Sequence, residues 1–141
     1  MIRYCLGLTA ACVLTAAAPA SAQEYLELSG GFGSYELVVY AGGGMDASRL
    51  ATTCVGMVSD VGQLSFEYDG YGGPLVIHGW GDEDISLAVQ APDGRWYCND
   101  DTDGLNPRVN WNSAQNGYYS VYVGAVSSSA QGLPVTISIS E

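Results

Sequence analysis

The 141-residue chain reads as an all-β protein: a β-sandwich or jelly roll of about eight strands behind a cleaved leader. Three observations predict this. No segment after residue 22 sustains a helical period. Short runs alternate apolar and polar residues instead, as half-buried strands do. Between them lie Gly, Asp, Asn and Pro at turn spacings, in a chain carrying 19 Gly.

Met1–Ala22 has the form of a secretory signal peptide. Arg3 supplies the positive start, an apolar run spans Leu6–Ala18, and Ala20-Ser21-Ala22 offers small residues for cleavage. The apolar run is short of the roughly 20 residues a membrane span needs, so the expected product is a secreted or periplasmic chain of residues 23–141, one domain. Cleavage removes Cys5 and Cys12 and leaves Cys54 and Cys98. In an oxidising compartment this pair favours a disulfide. A zinc or catalytic thiol site is the competing reading, and two Cys with one His offer too few soft ligands for it.

The strands follow in order. Tyr25–Leu28 and Tyr35–Tyr40 come first, then Gln63–Tyr68 with Leu64, Phe66 and Tyr68 on one face. Leu75–Trp80 follows, then Asp84–Gln90 with Ile85, Leu87 and Val89 inward, then Arg95–Cys98. Tyr119, Val121 and Val123 form the next stripe, and Leu133, Val135, Ile137 and Ile139 the last, with Thr136, Ser138 and Ser140 toward water. Gly30-Gly31, Gly42-Gly43-Gly44, Asp69-Gly70, Pro92-Asp93-Gly94 and Asn116-Gly117 mark turns. One helical turn fits around Met45–Ala51.

Four Lys+Arg against 15 Asp+Glu give a net charge of −11, and loss of Arg3 leaves Arg49, Arg95 and Arg108 as the permanent cations. Nucleic acid and anionic lipid require Lys/Arg clusters, which this composition excludes. The densest acidic stretch is Asn99-Asp100-Asp101-Thr102-Asp103-Gly104. Oxygen-bearing side chains at Asn99, Asp101 and Asp103 with Gly104 next reproduce the opening of a calcium loop, and Asp100 adds charge. Asp84, in the second cluster Asp82-Glu83-Asp84, is placed to lend a ligand from across the fold. The far end fails as an EF-hand, with Asn110 at the twelfth position and Pro107 inside the loop. The competing reading is a solvated hairpin loop built on Asx turns, with Arg108 offsetting part of the charge.

From Cys54 onward the chain resembles a bacterial pre-peptidase C-terminal domain in a stand-alone exported form. The residues carrying the resemblance are Cys54-Val55-Gly56-Met57-Val58, Asp84–Leu87, and Ala91-Pro92-Asp93-Gly94-Arg95-Trp96-Tyr97-Cys98 with Asn99-Asp100-Asp101. Leu105-Asn106-Pro107, Asn116–Gly124 and Val135–Glu141 complete it. The resemblance implies a β-sandwich of the kind appended to secreted hydrolases, aiding secretion, attachment or stability, with calcium or protein binding in some members. Asn99 stands where that family often has Asp, which weakens a metal site by one charge.

Hydrolysis by a nucleophile needs a base and an oxyanion hole. His78 is the sole imidazole, no G-x-S-x-G elbow exists, and the acidic residues sit in polar turns where nothing raises their pKa. A secreted hydrolase is therefore the third reading. The first is a non-catalytic exported module with a structural or adhesive role, calcium-stabilised if the acidic loop holds metal. The second is a carbohydrate- or protein-binding module using Trp80, Trp96, Tyr118 and Tyr122, with an envelope protein or polysaccharide as partner.

Overall fold

The computed structural model describes residues 23–141, so the expected signal peptide, with Cys5 and Cys12, lies outside the described residues. The strands are β1 (Glu24–Ser29), β2 (Ser34–Tyr40), β3 (Met45–Asp46), β4 (Met57–Val58), β5 (Leu64–Asp69) and β6 (Leu75–Trp80). They continue with β7 (Ile85–Gln90), β8 (Trp96–Asn99), β9 (Arg108–Trp111), β10 (Gly117–Ala125) and β11 (Pro134–Ser140). The eight expected strands are all present. The count rises to eleven because β9 and the two-residue β3 and β4 are too short to show a period. The turn expected near Met45–Ala51 is a 3-10 turn, Ala47–Arg49, whose Asp46 side chain accepts the Ser48 N–H at 2.9 Å.

The strands form two packed sheets. In the four-stranded sheet the order is β2-β11-β6-β9, antiparallel throughout. In the seven-stranded sheet β10 is central. Its first half pairs with β5, its far end with β4, and its other edge with β7, beyond which lies β8. The edge strand β1 lies parallel to β5, Glu24 opposite Leu64 through Ser29 opposite Asp69.

Alternation explains the core. Leu64, Phe66, Tyr68, Tyr119, Val121 and Val123 point inward from one sheet and Leu75, Ile77, Val135, Ile137 and Ile139 from the other, all buried. Each such side chain contributes about 1.5–3 kcal/mol on burial. Phe66 and Tyr119 stack at 5.0 Å, and Tyr119 meets Tyr68 and Trp111 edge-on. Burial pushes the Tyr119 phenol up to about 12, and its O–H donates to the Gln115 carbonyl at 2.8 Å. At one corner the Gln63 amide spans both sheets. Its Nε2 donates to the carbonyls of Tyr40 (3.1 Å) and Val123 (2.9 Å), while its Oε1 accepts the Val123 N–H at 2.9 Å.

Period two fails most completely in β7, where a covalently tied segment covers the outer face. In β7 not only Ile85, Leu87 and Val89 but also Ser86 and Ala88 are buried. The excursion from β3 to β4 folds back over this outer face and is tied to β8 by the Cys54–Cys98 disulfide, with Cα atoms 5.2 Å apart. Ala47, Cys54, Val58 and Ala88 form a second small core there, flanked by Leu50, Trp96 and Tyr122. The Ser86 hydroxyl donates to the Val55 carbonyl at 2.7 Å. Gly124 permits the close approach, since a Cβ there would collide with Ser86 Oγ.

Candidate functional site

The acidic loop joins β8 to β9. Its first oxygen is already engaged: Asn99 Oδ1 accepts the Thr102 N–H (3.2 Å), the Thr102 hydroxyl (2.7 Å) and the Arg108 N–H (2.9 Å). Asp103 and Asn106 exchange backbone hydrogen bonds, each 3.0 Å, around Gly104 at φ +63°. Asn106 Oδ1 then accepts the Gly81 N–H at 3.1 Å, pinning the loop to the turn before β7. Asp101 and Asp103 point to solvent. Among the described residues no three His, Cys, Asp or Glu side chains converge as a metal group, so Asp84, Asp100, Asp101 and Asp103 are not brought together. Arg108 makes no ion pair with this loop; the one ion pair among the described residues is Arg95–Asp93, at 3.6 Å. The local geometry is that of an Asx-capped hairpin.

The four candidate aromatics fall into three places. Trp96 and Tyr122 are half-buried and meet edge-on at 5.4 Å beside the disulfide, where they pack the second core. Tyr118 lies exposed near the β1 edge of the seven-stranded sheet. Trp80 lies exposed on the outer face of the four-stranded sheet. Sequence alone does not separate these roles, because the segment covering Trp96 and Tyr122 is remote in the chain.

That four-stranded outer face is laid out by register. One row runs Val38–Thr136–Trp80, and the next Glu36–Ser138–His78–Arg108. Val38 is 57% exposed and Tyr40 58%. A groove of about 430 Å³ runs along the first row, lined by Val38, Trp80, Asp82, Asn106, Pro134 and Thr136. Val38 and Tyr40 were missed as candidates. The run Leu37-Val38-Val39-Tyr40 carried the signal, since it is apolar on both faces of a strand that buries one.

His78 sits mid-row with its ring 3.8 Å from that of Trp80. Its Nε2 is buried with no hydrogen-bond partner, and desolvation, then the Arg108 charge, holds its pKa below the usual imidazole value while Asp103 opposes weakly. Ser138 lies directly opposite, and Glu36 beyond Ser138. A relay needs imidazole between hydroxyl and carboxylate; here the hydroxyl is in the middle. The row has no nucleophile-to-base hydrogen bond.

No family model matches the chain, and no curated protein matches it. Among solved structures, the chain is similar to PliG of Aeromonas hydrophila, a periplasmic lysozyme inhibitor of g-type lysozyme. The two share 16% identity at a TM-score of 0.47, over 84% of this chain and 98% of that one.

Proposed function

We propose that this chain is an exported, non-catalytic β-sandwich that works by binding another protein through the outer face of its four-stranded sheet. One observation carries the reading: that face holds Val38, Tyr40 and Trp80 exposed around a groove, with no other segment of the described residues folded over them. Exposed aromatic and aliphatic side chains flanked by charge, here Glu36 and Arg108, are the composition of a protein-binding patch. The leader sequence and the disulfide support export to an oxidising compartment. The pre-peptidase C-terminal resemblance accords with an attachment or stabilising role, and calcium is not required by it.

Photo-crosslinking from position 38 in the intact cell envelope, with exposed Thr53 on the covered face as control, tests this. A discrete polypeptide adduct is expected at position 38 alone. Trp80→Ala should reduce it roughly tenfold, as loss of an aromatic anchor does, with circular dichroism unchanged. A g-type lysozyme, the enzyme the Aeromonas protein inhibits, is one defined protein to titrate with the same variants. Equal labelling from both positions, or none from either, overturns the reading. Labelling of glycan instead of polypeptide transfers it to carbohydrate.

A further inference from the structure

On the outer face of the seven-stranded sheet, away from the stapled segment, strands β1, β5 and β10 bring like charges together. Glu27 lies directly opposite Glu67, and Tyr118 lies opposite Glu67 on its other side. Tyr25, two residues before Glu27 on the same face, completes the group. Tyr25 is 53% exposed and Tyr118 45%. The four side chains are close enough to act on each other: partial desolvation and then the charges of Glu27 and Glu67 push the Tyr25 phenol up. Like charges in direct register destabilise a sheet, and no cation among the described residues pairs with these two. Arg95 pairs with Asp93, Arg108 belongs to the other sheet, and Arg49 lies on the 3-10 turn.

Two further features sit beside this group. Past Tyr118, away from Glu67, the surface opens into a recess of about 480 Å³ lined by Gln90, Pro92, Gly94 and Gly117. Two residues beyond β5, Tyr71 is 87% exposed and held at φ +54°, the one non-glycine residue at positive φ among those described. The Asn116 side chain maintains it, accepting the Tyr71 N–H at 3.2 Å while donating to Asp69 at 2.7 Å. A bulky ring kept in a strained conformation and presented to solvent is a pattern of functional surfaces.

We infer that Tyr25, Glu27, Glu67 and Tyr118 form a second binding surface, which receives an arginine or lysine side chain from a loop of a partner protein. The carboxylates supply the countercharge, and the two phenol rings supply faces for cation–π contact. The recess beside Tyr118 takes the loop that carries the cation. The charge of the chain, 15 acids against four bases, steers such a partner toward it. This surface is independent of the Val38–Trp80 face, and neither requires the other.

The test is titration of the isotope-labelled protein with acetyl-Gly-Ser-Arg-Ser-Gly-amide, following the ring protons of Tyr25 and Tyr118, against the same peptide carrying neutral citrulline. Saturable shifts at both rings are expected with arginine and none with citrulline. Glu27→Gln with Glu67→Gln should weaken binding at least about fivefold, and Trp80→Ala should leave it unchanged. Glu67→Lys should abolish binding while raising the melting temperature of the free protein by about 1–3 °C, because it turns a repulsion into an attraction. Equal shifts with citrulline, binding that survives the double Gln variant, or a melting temperature that falls in Glu67→Lys overturns the proposal. Matching shifts with phosphocholine would assign the surface to a lipid headgroup and overturn the protein occupant.

Discussion

The two outer faces of this sandwich begin from the same alternation and end differently. On the seven-stranded sheet, β7 is buried on both sides because the Ala47–Val58 excursion is stapled over it. On the four-stranded sheet the corresponding side chains of β2, β6 and β11 meet solvent, and Val38, Tyr40 and Trp80 remain exposed. Apolar residues outside a core thus have two fates, and what decides between them is whether a remote segment is tied down over them. Covered, they add stability; uncovered, they stay at the surface.

The largest effect should come from cutting the tie. Replacing both Cys54 and Cys98 with Ser is expected to lower stability by about 2–4 kcal/mol in chemical denaturation. Hydrogen exchange should quicken first in β4 and β7, with β6 and β11 still protected. Uniform loss of protection would mean that the covered face is not a separate layer. Next, one residue type compares the two faces directly. Val58→Ala, at a fully buried site, should cost about 1–3 kcal/mol by thermal melting.

Asn99→Ala removes an acceptor that serves three donors and should cost about 1–2 kcal/mol. The cost is expected to be equal in chelator and in millimolar calcium; a penalty seen only with calcium would place a metal in the loop.

His78 should give a smaller, pH-dependent effect. Its folded pKa lies below the unfolded value of 6.5, so the unfolded chain takes up the proton first. Stability therefore falls as pH drops through the ordinary imidazole range and levels off below the folded pKa. The His78→Gln variant should lack this component, read from melting temperature against pH; identical slopes would refute it. The smallest effect is assigned to Val38→Ala, within about 0.5 kcal/mol. A larger loss would show that the open face is itself structural.

Much of the fold was legible because each strand declares itself locally. Leu64-Ser65-Phe66-Glu67-Tyr68 and Val135-Thr136-Ile137-Ser138-Ile139 fix their own inward faces by period two. β9 escaped because Arg108-Val109-Asn110-Trp111 is a single alternation, and β3 and β4 because they are two residues each. The candidate sites were harder to read, since each depends on pairing between distant strands. Glu27 meets Glu67 only through a parallel ladder between strands forty residues apart in sequence, and Trp96 is covered only because Cys54 reaches Cys98. The D-x-D-x-D-G-like spacing of the acidic loop is matched equally well by an Asx-capped turn, and spacing cannot tell the two apart.

The Gln63 amide has a consequence for the age of the molecule. Its nitrogen bridges two carbonyl oxygens, one from each sheet, so spontaneous hydrolysis of the amide to a carboxylate would set negative charge against both at no change in size. The folded chain would then carry a slow chemical clock at this corner. In stored samples the deamidated species should collect in the unfolded fraction, where mass spectrometry would find it; an even spread between fractions would show that the corner tolerates the change.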